Sequence, residues 1–195
     1  MNIALTRAAD DLPRRAFTVH DIWRMVETGI LGEKERFELV DGDLVMMSAK
    51  GYAHELVKSA FSIAIARALP DDMTMGVEIT LQFTNNTLLE PDLAVFKRNA
   101  VLKSDANFTY IEPGNVLLAI EVAASSLSYD KGLKARLYAR HRVQEFWVID
   151  ANERITWIYT GPSGDGWSSI RELAPTELLT TSALPDFSIR LADIG

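Results

Sequence analysis

One segment limits the fold more than any other: Val116-Leu117-Leu118-Ala119-Ile120-Glu121-Val122. A run this short and this apolar reads as a central strand buried on both faces, inside a sheet that other elements cover. Glu121 is the polar group that interrupts it. A carboxylate there is costly unless it is paired or holds a metal.

The surrounding pattern supplies the covering elements. Thr18 and Asp21 form a capping-box pattern ahead of Ile22, Val26 and Ile30 on one helical face, and Gly29 and Gly32 mark its end. Phe37–Met47 holds Asp41-Gly42 between two apolar runs, the signature of a tight hairpin with a type I′ turn. A helix is expected over Tyr52–Leu69, with Leu56, Ala60, Ile63 and Ala64 at helical spacing and Pro70 as its stop. Strands are expected at Thr74–Phe83 and Leu93–Phe96, and a second long helix over Asp130–His141. Further strands should occupy 145–150, 155–159 and 167–173, with an edge strand near Ser188–Leu191. This order predicts an α/β (α+β) domain around one mixed sheet.

Composition narrows the chemistry. The 195 residues contain no cysteine, which excludes a thiolate zinc site, a disulfide framework, an iron–sulfur cluster and a cysteine nucleophile. No apolar run is long enough to span a membrane and the first residues do not read as a signal peptide, so a cytoplasmic protein is expected. Lys and Arg number 20 against 27 Asp and Glu, a net charge of −7 that repels nucleic acid at long range.

Several residues carry potential chemistry. Asp92 follows Pro91 and opens an apolar strand, which places it at a strand end or bend. Glu38 begins the hairpin. Asp130, Lys134, Tyr138 and His141 share one helix face. Each has an alternative structural reading: Glu38 as a solvated strand residue, Asp92 as a turn cap, the helix set as an exposed ladder. The segment Lys131–Arg142 carries Lys131, Lys134, Arg136, Arg140 and Arg142 with no acid, a strip suited to phosphate contacts or a solvated helix face.

In order, these motifs are Glu38-Leu39-Val40-Asp41-Gly42-Asp43-Leu44, His54, Pro91-Asp92-Leu93-Ala94-Val95, Ile120-Glu121-Val122, Asp130 with Lys134 and Tyr138, and Val143–Asp150. Together they resemble the Uma2 family, also called DUF820, a restriction-endonuclease-like branch of the PD-(D/E)XK nuclease superfamily. The resemblance runs from about Phe17 to Leu191. It implies one restriction-endonuclease-like domain over 17–195, with a mixed central sheet flanked by helices, an N-terminal hairpin and extra C-terminal strands. Residues 1–16 would be an N-terminal arm, free to flex.

The resemblance also implies an activity. The family pattern makes Asp92 and Glu121 a metal pair for Mg2+, with Mn2+ a plausible substitute, and Glu38 a third acidic member of the catalytic set. The superfamily's usual lysine lies two residues after the glutamate, where this chain has Ala123. In this family that lysine is thought to have moved to the following helix, and Lys134 matches that position. His54, Asp130, Tyr138 and Lys131 would support substrate or site. The implied reaction is metal-dependent endonucleolytic hydrolysis of nucleic acid, DNA rather than RNA. The oligomeric state is open, with a homodimer the common way to cut two strands. Three rival readings stand beside it: a non-catalytic module that keeps the nuclease fold, a hydrolase of a small phosphorylated molecule, and a β-rich assembly protein. The last rests on Trp157 and Trp167, which are better explained as core.

Overall fold

A computed structural model describes residues 5–7, 13–32, 35–104, 108–111 and 114–195. Of the N-terminal arm expected over 1–16, residues 1–4 and 8–12 lie outside those described; within the rest, β1 (Leu5–Arg7) pairs antiparallel with β2 (Pro13–Arg15). Thr18 then caps helix α1 (Val19–Glu27) reciprocally. Its hydroxyl accepts the Asp21 N–H at 3.2 Å, while the Asp21 carboxylate accepts the Thr18 N–H at 2.9 Å. Gly29, at φ +71, turns the chain out of the helix. Ile30 therefore leaves the helical face and is exposed, while Ile22 is fully buried.

Strands β3 (Phe37–Val40) and β4 (Asp43–Met46) form the expected hairpin. Asp41 and Gly42 both take positive φ, 49° and 97°, as a type I′ turn requires. Helix α2 (Tyr52–Ala68) follows, and its buried stripe is His54, Val57, Lys58, Phe61 and Ile65. The expected stripe through Ile63 was out of phase, because apolar residues occur around most of this helix and periodicity alone does not fix the inward side. The expected strand Thr74–Phe83 is two strands, β5 (Met73–Val77) and β6 (Leu81–Thr84). Glu78 separates them in the left-handed region at φ +50, and Ile79 folds back into the space that a Cβ on Gly76 would occupy.

The remaining elements are β7 (Thr87–Leu89), β8 (Leu93–Lys97), β9 (Val101–Ser104), β10 (Thr109–Ile111) and β11 (Val116–Ala123). A helical segment then runs through α3 (Leu127–Tyr129), a π-helical turn (Asp130–Lys134) and α4 (Ala135–Arg140). Strands β12 (Glu145–Asp150), β13 (Thr156–Ser163), β14 (Gly166–Leu173), β15 (Leu179–Thr181) and β16 (Leu184–Ile189) complete the chain.

Among the described residues the strands make two six-stranded mixed sheets rather than one. The central sheet has the order β14-β13-β12-β11-β8-β5, with β11 and β12 parallel. The second has the order β4-β3-β7-β6-β10-β9. The segment expected as an edge strand, Ser188–Leu191, overlaps only the last two residues of β16, which pairs with β15 in a separate two-stranded ribbon.

Alternation along β11 sorts its side chains between two cores. Leu118, Ile120 and Val122 pack with Val57, Phe61 and Ile65 of α2 and with Phe187 of β16. Ala119 and Ala123 face the other way, toward Leu137 and Tyr138 of α4 and toward Leu81 and Phe83 of the second sheet. A third cluster holds α1 against β3 and β7 through Ile22, Leu39 and Leu88. Glu121 lies in phase with Ala119 and Ala123, so it points into the gap between the two sheets. Trp157 and Trp167 pack against that same core, which removes the support for an assembly role.

Candidate active site

The register of β8 against β11 pairs Leu93 with Ile120 and Ala94 with Ala119. One step further sets Asp92 opposite Glu121, on the same face. Pro91 turns the chain into β8 at that point, and the Asp92 carboxylate reaches across to the neighbouring strand. Its Oδ2 accepts the Val122 backbone N–H at 2.8 Å and lies 3.1 Å from His54 Nε2. Its Oδ1 accepts from the Lys50 ammonium at 2.6 Å. Burial would raise the Asp92 pKa, but His54 and Lys50 outweigh it and hold the acid down at about 2.

Glu121 is organised from the helical side. The π turn carries the Ala135 N–H back to the Asp130 carbonyl, five residues away, and presents Asp130 and Lys134 inward. Lys134 Nζ lies 3.0 Å from Glu121 Oε1, 3.0 Å from Glu38 Oε1 and 3.9 Å from Asp130 Oδ1. From beneath, Tyr138 donates its hydroxyl to Glu121 Oε1 at 2.7 Å. Glu38 is fixed in turn by the Glu90 N–H at 2.9 Å and the Tyr129 hydroxyl at 3.2 Å. Ser126 donates to Asp130 at 2.6 Å.

This set is buried almost completely, and its charges shift accordingly. Burial drives the Glu121 pKa well above the ordinary carboxylate range; Asp130, Asp92 and Glu38 add repulsion, and Lys134 opposes it. Burial likewise raises Asp130. For Lys134, burial alone would favour the neutral amine, but Glu121, Glu38 and Asp130 outweigh it and hold the ammonium charged. Two lysines, Lys50 and Lys134, thus face four carboxyl groups around the pocket, Glu38, Asp92, Glu121 and Asp130.

Glu38, His54, Asp92, Glu121, Asp130 and Lys134 all line one cleft of about 300 Å³. Tyr138 is fully buried behind Glu121. Lys131 is elsewhere: its ammonium lies 3.3 Å from the centre of the Trp157 ring. The basic segment, read as a phosphate contact or a solvated face, does not form one continuous strip, although Arg136 and Arg142 are exposed. Lys134 is inside the cleft, and Arg140 is bonded to Asp41 and Asp165 at 2.7 Å each. A helix distributes consecutive charges around its axis, so composition over twelve residues does not make one face.

Sequence reasoning missed Lys50 and Glu78. Lys50 follows β4 in an irregular segment, and its Nζ also lies 2.5 Å from Glu78 Oε1. Glu78 collects Lys58 at 2.6 Å and Arg36 at 3.7 Å on the same oxygen. Neither residue sits in a periodic element, so no spacing signal could find them. Ser126 was findable, four residues before Asp130 on a helical path.

Among the described residues no helix is long and apolar enough to cross a membrane. None of the curated proteins compared with this chain matches it. A crystal structure titled as that of "a putative nuclease belonging to DUF820" from Anabaena variabilis ATCC 29413 is similar in fold. It superposes with a TM-score of 0.71 at 17% identity, over 91% of this chain and 97% of that one. The sequence model of Uma2, described as "Putative restriction endonuclease", matches residues 24–192. A match over that much of the chain, on a fold that is shared, makes this protein a member of the Uma2 family.

Proposed function

We propose that the cleft hydrolyses phosphodiester bonds of nucleic acid, DNA in preference to RNA, with Mg2+ held by Asp92 and Glu121. The observation that carries the reading is the convergence of these two carboxylates from neighbouring strands on one cleft, with Lys134 Nζ 3.0 Å from Glu121. The residues fit such an ion. Two hard carboxylates face the cleft, and one oxygen of Asp92 already bonds a cation, the Lys50 ammonium. Among the described residues no three Asp, Glu or His side chains gather to hold an ion alone. Two carboxylates completed by water is the arrangement Mg2+ favours. Bound there, the ion would lower the pKa of a water and offset phosphate charge.

The chain's own groups perform the rest. His54 and the Val122 N–H fix the direction of the Asp92 carboxylate, and Tyr138 fixes that of Glu121. Lys134, held protonated, is unsuited to abstracting a proton. It serves instead as a fixed donor toward the phosphoryl oxygens, where negative charge grows in the transition state. Glu38 and Asp130 keep that ammonium charged and aimed. Cutting both strands of a duplex would use two copies related by two-fold symmetry.

Nicking of supercoiled DNA in Mg2+ or Mn2+, lost in Asp92→Ala and in chelator, is the expected result. A specific observation favours one other reading, a nuclease-fold module without turnover: both lysines lining the cleft, Lys50 and Lys134, are already bonded to carboxylates. Nucleic-acid binding without cleavage in either ion would decide for that module.

A further inference from the structure

Lys50 belongs to no helix or strand, yet it makes the closest cation contact to Asp92. Its ammonium bridges Asp92 Oδ1 at 2.6 Å and Glu78 Oε1 at 2.5 Å. The other Asp92 oxygen is committed to His54 and to the Val122 N–H, two groups that belong to the scaffold. Oδ1 is thus the oxygen left to meet a soluble cation, and an internal cation sits on it. Glu78, the second carboxylate of the bridge, is held independently of Lys50. Its backbone N–H donates to the Asp92 carbonyl at 3.0 Å, and Lys58 and Arg36 hold its side chain.

We propose that Lys50 is a positioning residue that acts as a displaceable counter-ion. It neutralises Asp92 when no metal is bound, and it withdraws onto Glu78 when a divalent cation takes Oδ1. The inference rests on the metal-dependent reading above and goes beyond it, since it sets how tightly the ion is held. An ammonium and a divalent ion on one carboxylate oxygen repel each other, so one must leave. Lys50 needs no new partner on leaving, because the Glu78 bond is already made. Its long unbranched stem lets the ammonium pivot about that bond. Uptake of the ion then exchanges one cation for another, which avoids stranding a buried bare carboxylate in the empty site.

The test is the affinity of the full chain for Mn2+ and Mg2+, measured by calorimetry and by electron paramagnetic resonance of Mn2+. Lys50→Met keeps most of the stem and removes the competitor. It should bind Mn2+ at least tenfold more tightly than the parent. It should also lose thermal stability without metal and regain more of it on adding Mg2+. Glu78→Gln removes the seat to which the ammonium withdraws, so it should bind Mn2+ several-fold more weakly. A structure with Mn2+ should show Lys50 Nζ on Glu78 alone. Unchanged or weaker Mn2+ binding by Lys50→Met would overturn the counter-ion role and leave the nuclease reading standing. No binding by either protein would overturn the metal site itself, and this inference with it.

Discussion

Asp92 accepts the backbone N–H of Val122 at 2.8 Å, so the bend that opens one central strand is tied to the residue after Glu121 on the next. The contact makes the spacing of the two carboxylates a property of the sheet rather than of two mobile side chains. Asp92→Asn keeps an oxygen for that N–H but removes the charge. The variant should fold, show no Mg2+-dependent rise in melting temperature, and lose cleavage by at least about 10²-fold. A melting temperature that still rises with Mg2+ would place the ion elsewhere.

Acid should expose the same group. Asp92 and Glu78 both titrate at about 2, below their ordinary values, so their contribution to stability is full above about pH 4.5 and is lost as pH falls toward 2. For the buried Asp92 the shift is worth about 2 kcal/mol. Urea midpoints measured between pH 5 and pH 2 should fall less steeply in Asp92→Asn than in the parent. Equal slopes would show that Asp92 is not held down by its partners.

Lys134→Met should behave in the opposite sense with pH. Removing the ammonium leaves Glu38, Glu121 and Asp130 buried without their cation, a loss of about 3–5 kcal/mol near neutrality. Protonating Glu121 and Asp130, both already raised by burial, relieves the strain, so the variant should recover stability as pH is lowered from 8 toward 5. At a pH where it is folded, cleavage should fall by about 10²–10⁴-fold while metal still binds. Full-rate cleavage would show that another group meets the phosphoryl oxygens.

Tyr138→Phe deletes one hydroxyl from the floor of the site. The bond to Glu121 is 2.7 Å long and fully buried, so its loss should cost about 1–3 kcal/mol. A carboxylate released from an orienting partner also binds its ion less well, by about 10–100-fold for groups of this kind. Calorimetry should see that loss without a change in stoichiometry.

Gly42→Ala tests the hairpin that carries Glu38. A Cβ at this position, at φ +97, would stand 2.6 Å from the Ala16 Cβ. Strain and overlap together should cost about 2 kcal/mol or more, read as a melting temperature lower by about 4–8 °C. A variant as stable as the parent would mean that the turn relaxes into another type.

The parts of this architecture that were legible are those set by local chemistry. Thr18 with Asp21, Asp41-Gly42 and the apolar run around Glu121 each state their structure within a few residues, and each forms as read. The alignment of Glu38, Asp92, Glu121 and Lys134 in one cleft followed from a family pattern and the alternation of strands. What escaped was set at long range. Glu78 and Asp92 meet Lys50 only because a left-handed residue breaks one strand stretch into pieces of two sheets. The inward side of α2 depends on what packs beneath it, and Lys131 left the site because a tryptophan from β13 offered its ring.

The five-residue spacing inside the helix that bears Lys134 acts as a phase adjuster. A π turn holds one residue more than the α-helical turn it replaces, and one residue is worth about 100° of rotation. Deleting Gly132, whose position has open space around it, would restore α geometry without removing any polar group. It would also swing Asp130 and Tyr129 together about the axis, away from Lys134 and Glu38, while Lys134, α4 and Tyr138 stayed in place. The extra residue therefore sets the angle of Asp130 and Tyr129 separately from that of the rod bearing Lys134 and Tyr138. One inserted residue thus lets a single helix aim polar groups from two different turns into the same cleft.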